Sequence, residues 1–275
     1  MIELAKNNKY MYIGIAAVII IAVVLVVLND SSSTSAASAS LDNVQLSTQT
    51  LSELHTIANN ESLANKVGSG TIAGFMTTEK NTTAFITNGT PTFLYIGADF
   101  CPFCAEARWG IVLALMRFGN FTTLHYMTSS ASDVYPNTPT FTFYNSRYSS
   151  SLLNFQEVEL TTNKFNASLN TYPSLQTPNA LQKKLLSKYD NGGSIPFVDI
   201  ANSSVMIGSP IIGGLLTKYS WSQIISNLND TSSVPSLNVI GAANLYTANI
   251  CEATGFKPAS VCDQPYIKVL LSEQS

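Results

Sequence analysis

Charge is scarce in this sequence. Asp, Glu, Lys and Arg together make 11% of its 275 residues, against roughly a quarter in an ordinary soluble domain. The formal net charge is −3. A chain so poor in cations has no basic stripe to lay along a phosphate backbone, so no nucleic-acid partner is expected. Disorder over most of the length is excluded too, because 45% of the residues are hydrophobic and disordered segments lack that apolar content. Histidine is nearly missing: His55 and His125 are the two. Neither stands at a recognisable spacing from a ligand or triad partner, and both are expected to be structural. No metal and no other cofactor is expected. Cysteine is limited to four residues, too few for a disulfide-stapled scaffold of this length.

One long apolar run is present. Met11 to Leu28 reads MYIGIAAVIIIAVVLVVL without a charge. At 1.5 Å per residue it is just long enough to span a hydrocarbon core of roughly 30 Å. Lys6 and Lys9 precede it, and Asn29 and Asp30 follow. The positive flank stays inside. Residues 1–10 therefore read as a cytoplasmic tail, 11–28 as a single transmembrane anchor in the cell membrane, and the rest as extracytoplasmic. A cleavable signal peptide is the competing reading, with Ala37-Ser38-Ala39 as its site; that site lies well beyond the apolar run, which exceeds an ordinary signal core. Residues 29–46 are Ser/Ala-rich and read as a flexible tether. Eight N-x-S/T sequons, at Asn29, Asn60, Asn81, Asn88, Asn120, Asn166, Asn202 and Asn229, are compatible with glycosylation outside the cell.

Residues 47–275 read as one α/β domain. Leu51, Leu54, Ile57 and Ala58 recur at helical spacing within 48–66. Thr92 to Ala98 is a continuous apolar run, as in a strand buried on both faces. It leads through Asp99 and Phe100 into Cys101-Pro102-Phe103-Cys104. The following AEARWGIVLALMRFG reads as a helix apolar on most sides and closed by Gly119. Within it Glu106 and Arg108 are expected as a solvated ion pair, and Trp109, like Phe100 before the motif, as a core or rim aromatic. Phe121 to Met127 is the next strand candidate. Residues 129–176 read as an insertion, with 141–144 and 155–160 as a hairpin or edge strands. Thr177-Pro178 predicts a helix start, with Leu181, Leu185, Leu186 and Tyr189 on one face. Phe197–Ile200 and Val205–Gly208 predict a hairpin turning at Asn202-Ser203, with Ile195-Pro196 before it. Ser220-Trp221 opens another helix. A helical C-terminal extension, about 234–275, holds a helix near Val239–Asn249.

The cysteines fall into two pairs. For Cys101 and Cys104 the spacing suits a dithiol–disulfide centre, because a thiolate attacks and a second thiol resolves the mixed disulfide. A cysteine at a helix N-terminus has its thiolate stabilised by unpaired N–H groups. Pro102 costs the first helical turn no hydrogen bond. An inert disulfide and a zinc site shared by both pairs are the competing readings; haem attachment is excluded, since Ala105 stands where His is required. Cys251 and Cys262 are expected as a structural disulfide, with a second, relaying redox pair as the alternative.

Phe93 to Ala98, Cys101 to Cys104 and Ser194 to Ile200 together resemble the thioredoxin superfamily. The string GADFCPFCAEARWGIVLALMRFG is similar to an uncharacterised family of membrane-anchored thioredoxin-like proteins known mainly from archaea. The resemblance implies a thioredoxin-like central mixed sheet flanked by helices. It implies a cis proline at Pro196 packed against the CxxC, with Ile195 and Pro196 positioning a bound peptide. It departs at Tyr95, where related enzymes often carry a buried carboxylate; Asp99 is near but off-register. The activity implied is thiol–disulfide oxidoreduction, with Cys101 attacking and Cys104 resolving. The expected partners are cysteine-containing secreted proteins and a separate redox protein that recycles the site. The alternative is a non-catalytic thioredoxin-like module binding a protein or Cu(I), for which soft thiolates are suited.

Overall fold

The apolar run before the CxxC does become a strand, buried from Thr92 onward. The computed structural model describes residues 41–274. The expected tail, the anchor and residues 29–40 of the tether lie outside them. Among the described residues no helix is long and apolar enough to cross a membrane.

The elements, in order, are α1 (Thr48–Ala58), α2 (Glu61–Val67), β1 (Thr77–Thr78), β2 (Ile86–Thr87), β3 (Thr90–Gly97), α3 (Pro102–Met116), β4 (Asn120–Thr128), β5 (Pro139–Ser149), β6 (Asn154–Glu159), α4 (Ala180–Tyr189), β7 (Phe197–Ile200), β8 (Ser204–Ile207), α5 (Trp221–Asn227), a π-helical turn (Ser236–Ile240), α6 (Gly241–Ala253), α7 (Ala259–Cys262) and α8 (Pro265–Glu273). This is a mixed α/β domain with a central mixed sheet. β3 is its centre. It runs parallel to β6, with Thr92 opposite Asn154 and Gly97 opposite Glu159. On its other side it runs antiparallel to β7, with Phe93 opposite Ile200 and Ile96 opposite Phe197. β8 pairs with β7 and carries β1 at the edge, while β2 pairs with the start of β3.

Alternation along β3 sorts its side chains to two faces. Phe93 and Tyr95 enter the main core, with α3 and α6. Leu94 and Ile96 enter a smaller core with Val158, Phe197, Val205 and Leu185 of α4. Helices therefore cover both faces. α3 is buried at every position except Phe103, and α6 from Gly241 to Cys251. The two pack closely: a Cβ on Gly110 would lie 2.7 Å from the Cβ of Ala242. The C-terminal extension is thus part of the main core.

Four expectations are corrected. The strand beside β3 is β6, from within the stretch expected as an insertion. Residues 120–149 instead form a separate antiparallel ladder of β4 and β5. Periodicity marks a strand but does not say which neighbour it pairs with. The helix expected from Thr177-Pro178 begins at Ala180, because Asn179 caps it and closes a capping box with Gln182. The helical stretch 48–66 breaks in two, since Asn60 caps the second piece by accepting from Leu63 N–H. The domain also starts before residue 47: Leu46 is buried, and Gln45 bridges to His125.

Candidate redox site

Cys101 is the N-cap of α3, placed there by the turn that ends β3. Its sulfur accepts a hydrogen bond from Cys104 N–H at 3.1 Å. Both thiols are free and buried. Their environments pull them apart. The Cys104 thiol and the N–H groups of Cys104 and Phe103 face the Cys101 sulfur, and with the Arg108 charge they lower its pKa despite burial. Cys104 lies one turn in, fully enclosed. Desolvation, and then the neighbouring Cys101, push its pKa well up.

The Ile195–Pro196 bond is cis, and Ile195 packs with Phe100 and Leu160 against Ala98, Cys101 and Cys104. Phe100 stacks on Tyr172, ring centroids 4.3 Å apart. Phe103, between the cysteines, is half-exposed and meets Tyr135 edge-on at 5.7 Å. Both tyrosines come from loops within 129–176. Gly213 comes up against the rings of Phe103 and Tyr135, since a Cβ there would lie 2.5 Å from each.

The pair Glu106 and Arg108 is corrected outright: both are fully buried and they do not pair. Arg108 lies beneath the motif. Its Nε and Nη2 donate to the two carboxylate oxygens of Glu159 at 2.9 and 2.7 Å. Nη2 also donates to the carbonyl of Ala98 at 2.7 Å and sits 3.5 Å from Asp99. Its guanidinium carbon stands 5.8 Å from the ring centre of Tyr95. Gly97 leaves the space that the Tyr95 hydroxyl fills, since a Cβ there would meet it at 2.0 Å. So beside Tyr95 three ionisable groups meet, Glu159 on β6, Arg108 on α3 and Asp99 in the β3–α3 turn. Burial, and then the Glu159 charge, raise the Asp99 pKa. Asp99 also lines a cleft of about 380 Å³, with polar side chains such as His125 and Asn163 and apolar ones such as Met127 and Leu175.

Glu106 points elsewhere. One oxygen accepts from Leu216 N–H at 3.3 Å and the other has no partner. Desolvation raises its pKa to about 7. Trp109 is a core aromatic, donating to the Pro139 carbonyl at 2.8 Å. Cys251 and Cys262 form a disulfide, buried between α6 and α7. It takes no part in this site, and its pairing leaves only Cys101 and Cys104 as free thiols among the described residues. No cluster of three or more His, Cys, Asp or Glu able to hold a metal occurs among the described residues.

No curated protein and no solved structure matches the chain. A family model, described as a domain of unknown function (DUF929), matches residues 77–252, a span that runs from β1 to Glu252 in α6 and includes the CxxC, Arg108, Glu159 and the cis proline. The chain belongs to the DUF929 family.

Proposed function

We propose that this protein is a membrane-anchored, extracytoplasmic thiol–disulfide oxidoreductase with a thioredoxin-like fold, oxidising or isomerising disulfides of secreted proteins. The observation that carries the reading is the asymmetry of the two thiols. Cys101 is held at a helix N-terminus with its pKa lowered, and Cys104 is enclosed with its pKa raised. An inert disulfide has no use for such a difference; an exchange centre needs one reactive and one resolving sulfur.

In the oxidising direction the site starts as a Cys101–Cys104 disulfide. A substrate thiolate attacks the Cys101 sulfur, the Cys101–Cys104 bond breaks, and Cys104 leaves as a thiolate. A second substrate thiolate then attacks the substrate sulfur of the mixed disulfide and expels Cys101. The substrate loses two electrons and gains a disulfide; Cys101 and Cys104 gain those electrons, and a separate redox protein must remove them. Stabilising the Cys101 thiolate makes it a good leaving group and favours this direction. Arg108 supplies a buried positive charge to that end. The half-exposed ring of Phe103, between the two cysteines, offers an apolar contact to a polypeptide segment. The run 11–28 would tie the domain to the outer face of the membrane.

The test is a redox titration of the full chain, reading Cys101 and Cys104 by alkylation and mass spectrometry. A potential between about −120 and −200 mV is expected for an oxidase or isomerase. A value near about −270 mV would reverse the direction of electron flow. A pair still oxidised below about −300 mV behaves as a structural bond, and the reading is abandoned.

A further inference from the structure

At the end of the sheet away from the CxxC, where β3 begins and β7 ends, the chain before β2 straps across the β7–β8 turn. Glu79 N–H donates to Ser203 O at 2.7 Å, Asn202 Nδ2 to Thr83 O at 2.8 Å and Phe85 N–H to Ala201 O at 2.9 Å. Between this strap and α4 lies a cavity of about 670 Å³. That is within the roughly 300–1,000 Å³ of small-molecule sites.

Its floor is apolar. Phe85 and Leu185 belong to the smaller core beneath α4. Ile86 and Leu181 also line it, and they remain 48% and 49% exposed. The first turn of α4 thus presents an apolar face that the protein itself does not fill. The rim is cationic. Lys184 and Lys188 are four residues apart, hence on one side of α4. Neither makes a salt bridge among the described residues. Lys188 is held over the Tyr189 ring, 4.2 Å from its centre, and its ammonium donates to Asn202 at 3.2 Å. The carboxylates whose fields reach this corner are Asp199, buried on β7, and Glu79 on the strap; neither lines the cavity.

We propose that this cavity binds a single-chain amphiphile with an acidic head, such as a fatty acid. The alkyl chain lies along Phe85, Ile86, Leu181 and Leu185, and the carboxylate sits between Lys184 and Lys188. The site is independent of the CxxC, and of the redox reading.

The experiment uses the full chain in its membrane and lauric acid bearing a diazirine at the chain end. Photolabelling is expected in peptides covering 81–86 and 181–188. Unlabelled laurate competes it away and dodecanol, which lacks the acid, does not. The double charge reversal Lys184→Glu/Lys188→Glu, at exposed positions that leave the fold intact by circular dichroism, lowers labelling about tenfold. Labelling elsewhere, equal competition by dodecanol, or labelling unchanged in the double variant overturns the proposal. Adhesion to phosphatidylglycerol vesicles without labelling of these peptides overturns it as well, in favour of a membrane-contact face.

Discussion

Arg108 and Glu159 meet in a two-pronged ion pair from which water is excluded, with N···O distances of 2.9 and 2.7 Å. The pair joins α3 to β6 directly beneath the CxxC. The same guanidinium nitrogen that reaches Glu159 holds the Ala98 carbonyl, three residues before Cys101. One side chain therefore braces the turn and contributes positive potential at both thiols.

Replacing Arg108 separates those two roles. Arg108→Met leaves Glu159 buried without its partner, which costs about 3–5 kcal/mol of stability. It also raises the Cys101 pKa. Arg108→Lys keeps the charge but cannot span both carboxylate oxygens. It is expected to lose stability while holding the Cys101 pKa nearer the parent value. Thermal unfolding and the pH dependence of alkylation measure both. Equal Cys101 pKa values in Lys and Met variants would remove the electrostatic role.

The two thiols should react very unequally. In the reduced protein at pH 7, iodoacetamide is expected to modify Cys101 at least about tenfold faster than Cys104, because only the thiolate attacks. Peptide mapping at short times reads the ratio. Comparable rates would show that burial, and not the helix terminus, controls Cys101.

Glu106 makes stability depend on pH. Its pKa is 4.5 for the free side chain and about 7 in the fold. Between those values the folded state keeps a proton that the unfolded chain has released. The contribution is therefore full below about pH 4.5 and lost as pH rises through about 7. Glu157, raised to about 7, and Asp199, raised to about 6, act in the same direction. Glu106→Gln keeps an oxygen for Leu216 N–H without the charge. It should stabilise the protein at pH 8 by about 1–3 kcal/mol and narrow the difference in Tm between pH 5 and pH 8. An unchanged difference would exclude Glu106 as a source.

The Cys251–Cys262 bridge closes a separation of 11 residues. Loop entropy for that length predicts that Cys251→Ala/Cys262→Ala loses about 2–3 kcal/mol. Cys101 alkylation is expected to stay at the parent rate. A change in that rate would restore the relay role set aside for this pair.

The close approach of α3 and α6 is testable at one atom. Gly110→Ala sets a Cβ against Ala242 and should cost about 1–3 kcal/mol. Adding Ala242→Gly is expected to recover part of that loss in a double-mutant comparison. Full additivity would mean that the helices shift apart freely.

Local signals were strong where local physics dominates. The strand before the CxxC, the N-terminal placement of Cys101, the cap at Ser220 and the hairpin after Pro196 each rest on a few adjacent residues. What was misread in Glu106 and Arg108 was nonetheless visible. Residues two apart on a helix do not face each other, so they could not form an ion pair. A helix apolar all round must also bury whatever charges it carries. Those two rules together point to distant partners, though not to Glu159.

The sequence by itself determined that four cysteines fall into two pairs, that one of them caps a helix, and that the following helix lies in a core. Those properties follow from spacing, capping and apolar content, which are written in neighbouring residues. Only the tertiary structure decided that β6, and not β4, lies beside β3. It likewise decided that Arg108, Glu159 and Asp99 converge under the thiols, and that Lys184 and Lys188 overhang an unfilled apolar floor. Each of these joins segments far apart in the chain. Their adjacency is settled by how the sheet and helices exclude water together, and the residues between them carry no local trace of it.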